Sequence, residues 1–152
     1  MEGKKVLITG AANGLGKALT EFYLAKNWHV IATDVDLCGL DEFFGQERIS
    51  IEKMDVSSDS SVSLAFHNIK QVHPQIDLII NNAGIDRYFP FSEAPVEMAL
   101  EVFQVNLFGS WRVNQTFLPI VKSPGGMIIH IGSESLHLTI PFMPYAITKN
   151  AP

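Results

Sequence analysis

The sequence predicts an α/β fold built on a doubly wound parallel sheet, and three observations carry that prediction. Short β-branched runs alternate with longer segments of helical period along the whole chain. A glycine-rich turn, Thr9-Gly10-Ala11-Ala12-Asn13-Gly14-Leu15-Gly16, joins the first run to the first helical segment. An acidic residue, Asp34, closes the second run about twenty residues further on. Alternation of this kind implies helices on both faces of the sheet and right-handed crossovers. A glycine turn at the first strand makes 3-2-1-4-5 the natural strand order, with the ligand at the switch point.

Each element follows from local pattern. Val6-Leu7-Ile8-Thr9 suits a buried parallel strand, and Leu15, Leu19, Phe22, Tyr23 and Leu24 then fall mainly on one helical face. His29-Val30-Ile31-Ala32-Thr33 is the second strand, with Asp34 at its end. A short helical or irregular piece around Leu37–Phe44 leads to a third strand, Ile49–Met54. Ser57 or Ser58 caps a helix running to about Val72, with Val62, Leu64, Ala65, Phe66 and Ile69 as candidate buried residues. His73-Pro74 ends it, and Asp77-Leu78-Ile79-Ile80-Asn81 is the fourth strand. Pro95 opens a long helix to about Val121, whose apolar positions include Val96, Leu100, Phe103, Leu107, Trp111, Val113 and Phe117. Ser123-Pro124-Gly125-Gly126 turns the chain into a fifth strand, Met127–Ile131.

At 152 residues the chain is expected to form one domain, 1–152, large enough to bury a core. A hydrophobic content of 47% against 18% charge suits a soluble globular protein. The net charge of −5, with no Lys/Arg cluster, argues against nucleic acid as a partner. No apolar run is long enough to span a bilayer, and the first residues lack the sustained apolar stretch of a signal peptide. No membrane partner is therefore expected, and the cytoplasm is the default location. Cys38 is the sole cysteine and the five histidines are scattered, so neither a disulfide nor a metal site is expected.

The glycine turn lets backbone N–H groups approach a pyrophosphate, and the helix behind it offers a partial positive charge. Asp34 can accept hydrogen bonds from both hydroxyls of an adenosine ribose and would repel a 2′-phosphate. Asn13 stands in the turn, Val35 follows Asp34, and no Arg or Lys is near either place, which favours NAD over NADP. A turn-forming role ahead of Asp36 is the alternative for Asp34. Tyr145 and Lys149 lie four residues apart, hence on nearly one face if that stretch is helical. A free tyrosine titrates near about 10, and a nearby cation favours the phenolate. Lys149 would so turn Tyr145 into a usable general acid/base.

These residues, taken in order, resemble the short-chain dehydrogenase/reductase (SDR) family over the whole length of the chain. The turn reads TGxxxGxG, Asp34 is the acid after the second strand, and Asp55-Val56 ends the third. Asn81-Asn82-Ala83-Gly84 matches NNAG, Asn106-Leu107-Phe108-Gly109 the asparagine-bearing helix, Gly132-Ser133 the serine after the fifth strand, and Tyr145 to Lys149 YxxxK. Extended members of the family use TGxxGxxG, which this chain lacks.

The resemblance implies a Rossmann-type sheet and an NAD-dependent oxidoreductase that interconverts a small-molecule secondary alcohol and a carbonyl by hydride transfer. It implies Tyr145 as the acid/base, Lys149 beside it and on the nicotinamide ribose, Ser133 orienting the substrate oxygen, and Asn106 holding a relay water. Gly10, Asn13, Gly14, Leu15 and Gly16 would bind the cofactor with Asp34. Asp55 would receive the adenine amino group and the Val56 N–H the ring, while Asn82, Ala83 and Gly84 stabilise the sheet close to the adenosine. A polar mid-helix role for Asn106 and a plain strand-end role for Asp55 are the alternatives.

Some departures accompany the resemblance. His130-Ile131-Gly132-Ser133 stands where the family often has Asn-x-Ser-Ser, and Ser135 rivals Ser133. Asp86, Arg87, Tyr88 and Phe89, with Leu136 to Met143, suggest a mixed apolar and polar substrate pocket. Family members commonly run to about 250 residues, so the last strands and the substrate-covering loop are expected to be missing. A truncated, inactive nucleotide-binding or dimerising fragment is the alternative reading of the function. The Pro95–Val121 helix is expected to pack against its copy in a homo-oligomer.

Overall fold

The computed structural model describes residues 3–87, 95–133 and 143–150. Five strands form one parallel sheet: β1 (Lys5–Thr9), β2 (His29–Asp34), β3 (Ile49–Lys53), β4 (Leu78–Asn81) and β5 (Met127–His130). Their order is β3-β2-β1-β4-β5, the order expected from the glycine turn at the first strand. The direction of winding reverses between β1 and β4, so a crevice opens at the C-terminal ends of these strands.

Side-chain alternation divides the strands between two cores. Leu7, Ile31 and Ile79 point to one face, where they meet Val62 and Ala65 of α2 (Asp59–Val72) and Val113 and Phe117 of α4 (Phe108–Phe117). Val6, Ile8, Val30 and Ile80 point to the other, against Leu19, Tyr23 and Leu24 of α1 (Gly14–Ala25). Two sequence expectations need correction here. Leu15 and Phe22 are exposed, because the face of α1 that meets the sheet is set by the close-packing Gly16 and Thr20. Leu64 is exposed as well, whereas Val62, Ala65 and Ile69 are buried at helical spacing.

The long helix expected over Pro95–Val121 is not continuous. Helix α3 (Val96–Asn106) ends at Leu107, α4 begins at Phe108, and a 3₁₀ turn, Leu118–Ile120, follows. Pro95 is the N-cap of α3 rather than its first residue. Three side chains make the break favourable. Asn106 turns its carboxamide to the Ile85 backbone, Ser110 Oγ donates to the Asn106 carbonyl at 3.4 Å, and Arg112 reaches back to the Gln104 carbonyl at 3.2 Å. Apolar periodicity runs through the break unaltered, so the pattern alone could not reveal it. The last helix is α5 (Met143–Asn150). Among the described residues, no helix is long and apolar enough to cross a membrane.

At the N-terminal pole of the sheet, far from the crevice, His29 Nε2 and His73 Nε2 each lie 2.9 Å from Ser50 Oγ. Their rings are 4.6 Å apart. Burial, and then the Lys5 charge, lowers the His29 pKa from its ordinary value. Such a histidine binds fewer protons folded than unfolded, so stability rises with pH across that interval. Its contribution is complete above pH about 6.5 and is lost on acidification. Urea unfolding measured between pH 7 and 5 should show falling stability, with a flatter slope in His29→Gln. An equal slope in the two proteins would exclude His29 as a source of the acid sensitivity.

Candidate functional site

The glycine turn leads directly into α1, whose N-cap is Asn13 in extended backbone (φ −152°, ψ 177°). The Asn13 side chain makes no capping bond, and no acidic residue stands in the first turn. The N–H groups of that turn, with their partial positive charge, are therefore left for an anion. Gly16 lets the helix start this close to the strand: a Cβ there would lie 1.9 Å from the Gly10 carbonyl oxygen.

Asp34 closes β2 and is tied to the turn. Its Oδ2 accepts the Ala12 N–H at 2.9 Å and its Oδ1 the Asp36 N–H at 3.0 Å. The turn-forming role thus exists, and it leaves each carboxylate oxygen with lone-pair capacity to spare. Asp34 lines a cleft of about 440 Å³ at the crevice, together with Gly10, Asn13, Leu15, Asp55 and Val56. Asn82, Ala83 and Gly84 complete that wall of it, and Gly14 and Gly16 belong to the same turn. Asp55 Oδ1 accepts from Ser57 N at 2.9 Å and Ser57 Oγ at 2.7 Å, so this carboxylate also shapes the entry to α2.

The segment after β4 is fastened to β1. Asn82 Nδ2 donates to the Thr9 and Gly10 carbonyls at 3.0 and 2.9 Å, and Thr9 Oγ1 accepts from the N–H groups of Asn82 and Ala83. Sequence reasoning missed Thr9 as the fastener. Its signal was present, as a buried hydroxyl one residue before the first glycine.

Tyr145 and Lys149 share α5, with Lys149 Nζ 5.8 Å from the centroid of the Tyr145 ring. Lys149 donates to the Ile131 carbonyl at 3.1 Å. Burial lowers its pKa from the ordinary lysine value. A Cβ on Gly84 would lie 3.2 Å from Lys149 Nζ and 3.3 Å from Asn106 Oδ1, so the absence of a side chain there lets both groups approach. Asn106 Oδ1 accepts the Ile85 N–H at 2.8 Å, while its Nδ2 donates to the Ile85 carbonyl at 2.9 Å and to Thr148 Oγ1 at 3.1 Å. Thr148 in turn donates to the Tyr145 carbonyl at 2.8 Å. Thr148 was not singled out from the sequence, although it is the buried residue inside YxxxK. Ser133 stands just beyond β5, half-buried. Ser135, Tyr88, Phe89 and residues 136–142 lie outside the described residues.

Replacing Asn106 with leucine leaves the backbone N–H and C=O of Ile85 without their partner. Each buried orphan costs about 1–3 kcal/mol. Denaturant unfolding of Asn106→Leu should show a loss of at least this size; a change within about 0.5 kcal/mol, typical of surface positions, would mean that water replaces the carboxamide freely.

Comparison with known proteins places the sequence and the fold in one family. The family model for short chain dehydrogenase matches residues 4–151. A 3-oxoacyl-[acyl-carrier-protein] reductase of Thermotoga maritima is 32% identical over 139 residues, 88% of this chain and 56% of that protein. An NAD-dependent glycerol dehydrogenase of Listeria innocua is 27% identical over 87% of this chain and 53% of its own length. A solved short-chain dehydrogenase/reductase from Brucella melitensis, described as a glucose/ribitol dehydrogenase, superposes with a TM-score of 0.89 at 27% identity, covering 98% of this chain and 66% of that one. The chain spans about half the length of the curated relatives it matches.

Proposed function

Because the chain belongs to the short chain dehydrogenase family of oxidoreductases, we propose that the protein carrying it interconverts a secondary alcohol and a carbonyl with NAD. The observation that carries this reading is the Tyr145–Lys149 pair on one face of α5, with an ammonium 5.8 Å from the ring centroid. NAD, when bound, supplies the hydride acceptor. Tyr145 Oη takes the proton of the substrate hydroxyl, or returns it in the reverse direction. Lys149 sets a positive charge beside the phenol, where negative charge develops. Asn106 and Thr148 hold the helix that carries both, and Ser133 orients the substrate oxygen.

The adenosine half fits the cleft below. The first-turn N–H groups of α1 would meet the pyrophosphate, the Asp34 carboxylate would accept from the ribose hydroxyls, and Asp55 with the Val56 N–H would take the adenine. Asp36 lines the same cleft, and its carboxylate with that of Asp34 would repel a 2′-phosphate. The glycerol dehydrogenase of Listeria innocua, named for NAD, supports the same cofactor. Exposed Leu100, Phe108 and Trp111 on α3 and α4 supply the apolar surface for contact with a second copy.

Two measurements test the reading. Tyr145→Phe should bind NAD as the parent does in calorimetry yet lose turnover on secondary alcohols by about 10²–10⁴-fold; undiminished turnover would remove Tyr145 from the chemistry. Comparing kcat/KM with both cofactors should show a preference for NAD that narrows in Asp34→Ala. A parent enzyme that works better with NADP would overturn the cofactor assignment.

A further inference from the structure

One guanidinium joins three of the elements around the cleft. Arg112 sits on α4, about one helical turn past Gly109. Its Nε donates to Oδ1 of Asp59, the first residue of α2. Its Nη2 donates to Gln104 Oε1 at 2.6 Å and its Nη1 to the Gln104 carbonyl at 3.2 Å, in the last turn of α3. The Arg112 side chain is 20% exposed and that of Asp59 86%. An ion pair so open to solvent has little effect by itself. Here one orientation of a planar fork makes all three bonds, and that orientation fixes α3 and α2 relative to each other.

Both attachments end close to the wall of the cleft. Val105 follows Gln104 and lines the cleft. On the other side, Asp59 begins the turn of α2 that contains Ser61, whose Oγ accepts the Asp55 N–H at 2.9 Å. Asp55 and Val56 line the same cleft as Val105. Gly109 brings α4 directly against Val56, where a Cβ would lie 2.8 Å from Val56 Cγ2. Farther along, Phe66 of α2 meets Phe117 of α4 edge to face, with ring centroids 5.3 Å apart. These apolar contacts seat α4 on α2. Arg112 adds the tie that crosses the break at Leu107 and reaches α3.

We propose that Arg112 is a positioning residue for the adenine half of the cofactor, holding Val105 at a set distance from Asp55 and Val56. The inference rests on the nucleotide reading of the cleft. Adenine is flat and rigid, so apolar side chains that grip it cannot follow it if their spacing changes. Dispersion falls steeply with distance: a gap of about 0.5–1 Å forfeits a quarter to a half of the attraction. Without the fork, the end of α3 can shift against α2 at the point where the helix is already interrupted. Tyr145 and Lys149 are anchored separately, through Thr148 and Asn106. The effect therefore falls on nucleotide binding and spares the chemical step.

In the protein that carries this chain, Arg112→Met should raise the calorimetric Kd for ADP-ribose and for NAD about tenfold, the lower end of what a charge-assisted hydrogen bond is worth. KM for NAD should rise with it, while kcat at saturating NAD stays within about twofold of the parent. Arg112→Lys restores a charge beside Asp59 without the fork to Gln104, and should recover part of the affinity. Asp59→Asn alters an exposed side chain, leaves the packed interior intact, and should weaken ADP-ribose about two- to fivefold. ADP-ribose affinity equal to the parent's in either Arg112→Met or Asp59→Asn, whatever the change in thermal stability, overturns the positioning role. A fall in kcat with KM unchanged overturns it as well. A parent that binds neither ADP-ribose nor NAD overturns the nucleotide reading itself. A parent that binds both, with variants that match it, leaves that reading standing and removes Arg112 alone.

Discussion

The carboxamide of Asn106 bonds the Ile85 backbone in both directions and spends its remaining proton on Thr148. Three segments distant in sequence meet at this one side chain: the exit from β4, the end of α3, and α5. A helix that simply continued would leave Asn106 in a regular row of side chains. Ending α3 at Asn106 and starting α4 one residue after Leu107 accompanies the turn of the carboxamide toward Ile85. Arg112 offsets part of the cost by donating to the Gln104 carbonyl and side chain across the break. The position of Tyr145 and Lys149 relative to the cleft at the glycine turn follows, because α5 is tied through Thr148 to the residue that also fixes the wall around Gly84.

The parallel sheet was legible in the sequence because its signals are local and redundant. Val6 to Thr9, His29 to Asp34 and Leu78 to Asn81 are dense in β-branched or aliphatic residues, and each is bounded by a turn signal. The glycine turn then fixed which strand lies at the switch point. The break at Leu107 was not legible in the same way. It depends on a tertiary hydrogen bond to Ile85, some twenty residues away along the chain, and the apolar positions Val102, Val113 and Phe117 keep helical spacing on both sides of it. The buried face of α1 failed for a related reason. Leu15 and Phe22 looked like core by hydrophobicity, but Gly16 and Thr20 occupy the closest approach to the sheet, and small residues win where backbones come near.

At the candidate site, the acidic, basic and phenolic side chains were readable in the sequence and the residues that fasten them were not. Asp34, Tyr145 and Lys149 announce themselves by charge or by the phenol at a strand or helix end. Thr9 and Thr148 carry ordinary hydroxyls, and their importance lies in which backbone groups they reach. Asp55 shows that one acid can hold a turn and line a cleft together, so the two readings available from the sequence were never exclusive.

Asn81 and Asn82 show how adjacent identical residues come to do unlike work. Successive side chains of a strand leave on opposite faces, and the pair sits where β4 ends. Asn82, just past the strand, bonds the Thr9 and Gly10 carbonyls and so holds the glycine turn. Asn81 is still inside the strand and points to the face shared with Ile79, toward Asn114 of α4. A substitution at Asn82 should therefore disturb the turn, and one at Asn81 the wall behind Lys149. The sheet separates these two environments by its own thickness, and the single carboxamide of Asn106, at the end of α3, is close to both. Asn106 stands between the cleft wall at Gly84 and a cavity at Thr148.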